Sequence, residues 1–150
     1  MTLKEKLLAV MQECAHIGKD AVNDEVGYPY VSAAKINDAI NSALTKNRIV
    51  TTAETEIKEF LVNGDFAWAT VEATITLHDV DSEETLAIRG AGEGIDKGDK
   101  AIAKAQTMAI KYAWKNTLHI ADSSDDPDAV ADKVQYKGKK PALKNFVAPF

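Results

Sequence analysis

From Phe66 to His78 the chain alternates without a break. Ala67, Ala69, Val71, Ala73, Ile75 and Leu77 fall on one face of an extended strand, and Phe66, Trp68, Thr70, Glu72, Thr74 and Thr76 fall on the other. A period of two fits a strand and excludes a helix, whose apolar positions recur every three to four residues. Arg48–Phe60 is rich in Thr and Glu and also alternates, and Thr85–Ala91 supplies a third such run. Asp79–Glu84 between the second and third runs reads as a hairpin loop. Three consecutive strands with short links predict an antiparallel meander, which needs a second layer on its apolar face.

Lys100–Ile120 supplies that layer. At about 100° per residue, Lys97, Lys100, Lys104, Lys111 and Lys115 share an arc about 60° wide. Ile102, Ala105, Ala109, Ala113 and Ile120 lie opposite. This is an amphipathic helix with an alanine-rich buried seam, which lets it sit close to what it covers. Asp99 is placed as its N-cap. Two helices precede the strands. Thr2 and Glu5 form a capping box that opens the first, to about Gly18. Asp20–Pro29 is a polar loop and Tyr28–Val31 a short extended piece. Ser32 caps the second helix, Ala33–Lys46, with Ile36, Ala39, Ile40, Ala43 and Leu44 inward. The predicted class is α+β: an antiparallel three-stranded meander covered by a long helix, a β-β-β-α core, with two N-terminal helices.

The charge is sorted along the chain. Its net charge is −5, yet residues 100–120 hold four lysines and no acid. A solvated helix face mixes both signs for pairing one turn apart; this one does not. Residues 51–99 hold three basic and twelve acidic side chains, so the acidity is concentrated in the strands and hairpin. If these project away from the basic helix, one surface suits a polyanion while the rest repels it.

The motifs have a familiar order. GEGIDKGDKAIAKAQTMAIKYAWKNTL followed by SSDDPD combines a glycine pair, Asp96-x-Gly98-Asp99-Lys100, an alanine-rich helix, Lys111-Tyr112-Ala113 and Asp125-Asp126-Pro127-Asp128. Upstream, GYPYVSAAKINDAINSALTKN gives an aromatic strand, Ser-Ala-x-x-Ile and a helix. Together these resemble the Erf-type single-strand annealing proteins of bacteriophages and prophages, over roughly Leu7 to Asp128. Trp114, where an aliphatic residue is expected, and the polar exit His119–Ser123 depart from the pattern. The resemblance implies a β-β-β-α core shared with the eukaryotic annealing mediators that assemble into rings. It also implies ATP-independent binding and annealing of single-stranded DNA in homologous recombination, by a ring or filament, without bond-making chemistry or a cofactor. The expected partners are single-stranded DNA, further copies of the chain, and a host or phage single-strand binding protein or exonuclease, in the cytoplasm of a bacterial host.

By the same resemblance, basic residues of the strand-to-helix junction and long helix line the DNA groove. The matching positions are Lys35 and Lys111. Helix geometry adds Lys97, Lys100, Lys104 and Lys115, and Arg89 lies near the end of the third strand. Replacing Lys35 or Lys111 by Ala is expected to weaken binding without unfolding the protein. Tyr28 and Tyr30 are candidates for base stacking and equally for core packing. Tyr112 is a further stacking candidate, and Trp114 suits packing or a subunit interface better than DNA.

Two other functions are weighed. Gly90-x-Gly92-x-Gly94 after a strand, with Gly98-Asp99-Lys100 opening a helix, invites a nucleotide- or phosphate-binding loop. The spacing is not that of the dinucleotide fingerprint, and the glycines suit a sharp turn or hinge better. Asp122, Asp125, Asp126 and Asp128 suggest a metal-dependent nuclease, but all lie on one loop with no carboxylate placed on a strand. His16, His78, His119 and Cys14 lack metal-ligand spacing. One cysteine precludes an internal disulfide. No apolar run is long enough to span a bilayer and no signal peptide is evident. Residues 1–121 are read as one core domain. Residues 122–150, acidic and then basic, are read as a weakly ordered tail. Its terminal Pro149-Phe150 resembles the tip of bacterial single-strand binding proteins, although the residues before it are basic.

Overall fold

The computed structural model describes residues 1–18, 21, 22, 27 and 29–120. Tyr28, the tail 122–150 and its aspartate cluster lie outside the described residues.

The N-terminal elements form where the local chemistry places them. α1 (Leu3–Glu13) opens with the expected capping box: Thr2 Oγ1 accepts from the Glu5 amide at 3.2 Å, and Glu5 Oε2 accepts from the Thr2 amide at 2.7 Å. The helix ends at Glu13 rather than near Gly18: Cys14 is its C-cap, with its amide donating to the Val10 carbonyl, and residues 14–16 form a turn. The stretch expected as a polar loop contains a small hairpin, with β1 (Ala21–Val22) antiparallel to β2 (Pro29–Tyr30). α2 (Ala33–Lys46) has the expected bounds and cap, with Ser32 Oγ accepting from the Lys35 amide at 3.1 Å. Ile36, Ile40, Ala43 and Leu44 are its buried side.

β3 (Ile49–Asn63), β4 (Phe66–Asp79) and β5 (Thr85–Asp96) form an antiparallel sheet in the order β3-β4-β5. β3 and β5 both run further than their expected ends, Phe60 and Ala91. β3 turns into β4 at Gly64, whose φ of +60° suits glycine. A bulge between Ile57 and Glu59 lets both Ile57 and Phe60 face inward, opposite Val71 and Ala69. Their spacing of three breaks the simple alternation of β3.

The largest correction concerns the glycine run. Gly90, Gly92 and Gly94 are not a turn or hinge but positions of β5, paired with Ala73, Val71 and Ala69 on the inward face. α3 (Ala101–Leu118) lies directly on them. A Cβ at Gly90 would sit 2.3 Å from the Ala113 amide nitrogen, one at Gly92 2.4 Å from that of Ala109, and one at Gly94 2.3 Å from the Ala101 carbonyl oxygen. Helix backbone thus rests on strand backbone, through Ala101, Ala105, Ala109 and Ala113. Beneath the first half of α3, Ala67, Ala69, Val71 and Ala73 complete a thin core of small side chains. At the other end Ile75, Leu77 and Ile88 meet Leu3, Val10, Ile36, Ile40, Leu44, Trp114 and Leu118 in a thicker core. Trp114 packs there, as its place near the seam suggested.

The β4–β5 loop is tied to α1 by charge. Lys6 Nζ, buried, donates to Asp79 Oδ1 at 2.5 Å and Asp81 Oδ2 at 2.7 Å. Arg48 holds both oxygens of Asp81, with Nε and Nη2 at 3.0–3.1 Å. Ser82 Oγ and the Asp81 amide also donate to Asp79. The outer sheet face is different. It carries Glu54, Glu56 and Glu59 of β3, Glu72 of β4, and Arg89 and Glu93 of β5, with Leu61, Trp68 and Ile95 across one end.

Candidate nucleic-acid interface

The structure divides the expected lysine arc into two groups. The first stands where β5 passes into α3. Lys97 and Lys100 are exposed. Lys97 Nζ lies 5.5 Å from the centroid of the Phe66 ring, which in turn meets Trp68 with centroids 6.0 Å apart. A cation over an aromatic face at this range is an attractive contact. The helix N-cap is Lys100, not Asp99, and its side chain makes no capping bond. Asp96 takes that role from within the strand. Its Oδ2 accepts from the amides of Gly98 at 3.0 Å and Lys100 at 3.3 Å. Its Oδ1 holds Lys104 Nζ at 2.8 Å, and Lys104 also donates to the Ile95 carbonyl at 3.3 Å. The Lys104 ammonium, helped by the Gly98 amide, lowers the Asp96 carboxyl to about 2.

These bonds remove the main support for a phosphate loop. The glycines run beneath a helix, and the helix-start amides of Gly98 and Lys100 already serve a carboxylate. The junction still presents two exposed ammonium groups, with the exposed carboxylate of Asp99 between them, at a helix N-terminus whose first turn has no acid.

The second group is not on the surface. Lys111 is 4 % exposed and Lys115 is 2 % exposed. Ala113, Trp114 and Leu118 of this half of α3 belong to the thicker core, so an arc drawn on an isolated helix is covered here. Lys111 Nζ lies 5.2 Å from the Tyr30 ring centroid, and Lys115 Nζ lies 5.2 Å from that of Tyr112. Tyr30 is therefore engaged with Lys111. Lys35 is half-buried in the first turn of α2, and its Nζ lies 3.4 Å from where a Cβ on Gly18 would stand. Lys35 and Tyr30 thus share the β2–α2 segment, with Lys111 beneath Tyr30.

Arg89 belongs to neither group. It alternates with Ile88 and Gly90, so it lies on the outer sheet face opposite Thr74, away from α3. Tyr28 is outside the described residues. Sequence reasoning missed Phe66 as the aromatic neighbour of Lys97, although its place on the outer face of β4 was legible. It also missed Asp96 as the group that fixes the junction. Lys100 and Lys111 are 11 positions apart, or about 17 Å along the helix, so the groups stand at two ends of one rod.

Among the described residues no group of three or more His, Cys, Asp or Glu is placed to hold a metal ion. No helix among them is long and apolar enough to cross a membrane. The sequence profile of the ERF superfamily matches residues 3–148. No curated protein matches the chain. The profile covers nearly the whole chain, so the chain belongs to the ERF superfamily, a family of annealing-type recombination proteins of phages.

Proposed function

We propose, from membership of the ERF superfamily, that this chain binds single-stranded DNA and anneals complementary strands without ATP, as a ring or filament of identical subunits. The observation that carries the reading is the match over residues 3–148, which spans the whole β-β-β-α core. The exposed cations at the start of α3 support it. Lys97 and Lys100 neutralise phosphates, which binds any sequence and leaves base edges free to pair. Phe66, half-buried beside Lys97, offers an edge on which a base can stack. Lys35, on the β2–α2 segment, extends the path toward the far end of the helix.

Lys111 and Lys115 have a different part in this reading. They hold the β2–α2 segment and the end of α3 in shape, and so act on DNA by placing Lys35 and Tyr30. A few exposed lysines per subunit hold little strand, which is why assembly belongs to the mechanism. A second strand then samples register against the first and pairs. Single-stranded binding proteins, exonucleases and the bacterial cytoplasm remain the expected setting.

The test is annealing of complementary oligonucleotides with gel shifts at two salt concentrations. Binding that falls steeply with salt, together with accelerated annealing, supports the reading. Annealing at the uncatalysed rate overturns it.

A further inference from the structure

Apart from Phe66 at its rim, the outer face of the sheet has a structure of its own that DNA binding by α3 does not use. In its middle, Glu54, Glu56, Glu59, Glu72 and Glu93 project from three neighbouring strands, with Glu56 opposite Glu72. Like charges directly opposite destabilise a sheet. Among the described residues Arg89 and Lys58 stand on this face, the latter 3.1 Å from Glu56, and Lys97 lies over Phe66 at its end. At one end the face turns apolar, with Leu61, Trp68 and Ile95 side by side across the three strands. Leu61 is 1 % exposed and Trp68 is 5 % exposed. Yet neither belongs to the cores formed with α1, α2 and α3, which lie on the opposite face. A cover is required there, and the described helices do not supply it.

The chain contains a segment with the matching order. After the aspartates come Lys133, Lys137, Lys139, Lys140 and Lys144, and after these Phe146, Val147 and Phe150. Ile120, where the described chain ends, belongs to the thicker core with Ile75 and Leu77, at that end of the sheet and on its inner face. A chain leaving that end of the sheet meets the glutamates first and the Leu61–Trp68–Ile95 patch last. Past its aspartates it would carry lysines first and aromatics last. The reach is ample: 17 residues from Ile120 to Lys137 extend to about 55 Å, while Ile75 and Trp68 are about 24 Å apart along β4.

We infer that the outer face of the sheet is the docking surface for the same chain's residues 133–150, with the lysines across the glutamate rows and the Phe146–Phe150 end over Leu61 and Trp68. The segment neutralises the facing carboxylates and covers the apolar patch. The same lysines are then withheld from DNA while they lie on the glutamates.

The full chain tests this with no DNA present, so failure of annealing and failure of docking are separate results. Carbodiimide joins lysine to carboxylate only where the two touch. Equal parts of heavy-isotope-labelled and unlabelled protein are mixed, crosslinked and mapped by mass spectrometry. Crosslinks from Lys133–Lys144 to Glu54, Glu56 or Glu72, within copies of one label, are expected, with several-fold loss at high salt. A Lys137→Glu, Lys139→Glu, Lys140→Glu variant should lose them and move the Trp68 emission to longer wavelength, read in a Trp114→Phe background or by acrylamide quenching of the wild type. Absence of these crosslinks overturns the inference. So do crosslinks found only between labels, which place the segment on a neighbouring copy, and a Trp68 signal unmoved by the variant.

Discussion

Gly92 shows how much one missing methyl group sustains. Its Cβ would meet the Ala109 amide nitrogen, the Ala105 carbonyl oxygen and the Met108 carbonyl carbon at 2.4–2.8 Å, all of them backbone atoms that no rotamer change can move. Gly92→Ala must therefore push α3 off the sheet, and a loss of about 3 kcal/mol or more is expected in urea unfolding. Gly64 is the control. Its surroundings are open but its φ is +60°, so Gly64→Ala should cost only about 1 kcal/mol. Equal effects at the two sites would refute the close backbone contact. Lys111 and Lys100 make a second pair. Lys111→Ala removes a buried stem packed beside Tyr30 and is expected to lower stability as well as binding, contrary to the expectation from sequence. Lys100→Ala, fully at the surface, should leave the unfolding midpoint within about 0.5 kcal/mol of wild type and weaken single-strand binding.

α3 is one helix with two environments. Its first half lies on small residues and keeps one side open; its second half is surrounded. The sequence located this helix, the strand alternation and the caps of α1 and α2, because each is a local pattern with a local cause. It did not locate where the lysine arc goes under cover, since that depends on α1, α2 and β2 arriving from elsewhere in the chain. Glycine spacing misled for a related reason. Gly-x-Gly-x-Gly is a turn signal alone, and becomes a strand signal only when matched with the alanines at 101, 105, 109 and 113. Both periodicities were in the sequence, but neither announces the other. For binding, the Lys97→Ala, Lys100→Ala double variant should reduce the salt dependence of single-strand affinity by about 0.7 in logarithmic slope for each phosphate that is no longer neutralised. An unchanged slope in salt-titrated fluorescence anisotropy would remove the junction from the interface.

Across the whole molecule, acidity has structural uses as well as repulsive ones. Lys6, and then the Asp81 amide, hold the Asp79 carboxyl below its ordinary value; Arg48, and then Lys6, do the same for Asp81. Both carboxyls in turn raise Lys6. Depressed carboxyls stabilise the fold above their ordinary value of 3.8, and that contribution is lost as pH falls through the folded-state values. The raised Lys6 contributes fully below 10.5 and loses its part as pH rises through its folded value. Urea midpoints of wild type and Asp79→Asn should therefore differ most between about pH 4 and pH 10 and converge in acid. A difference that stays constant down to pH 2 would show that the network adds nothing through charge.

The seating of α3 on β5 also constrains how such chains can vary in length. Four helical residues advance about 6.0 Å and two strand residues about 6.8 Å, so each alanine finds its glycine with a slip of under 1 Å per step. The slip accumulates to about 1.6 Å over the two steps from Gly94 to Gly90, and past Gly90 a side chain, Ile88, replaces glycine on the same face. One residue inserted within β5 would turn the glycines on one side of it to the outer face; one inserted within α3 would rotate the alanines beyond it by about 100°. Between β5 and α3, insertions and deletions should therefore be accepted only in the short link Lys97–Lys100, where Lys97 and Lys100 are exposed.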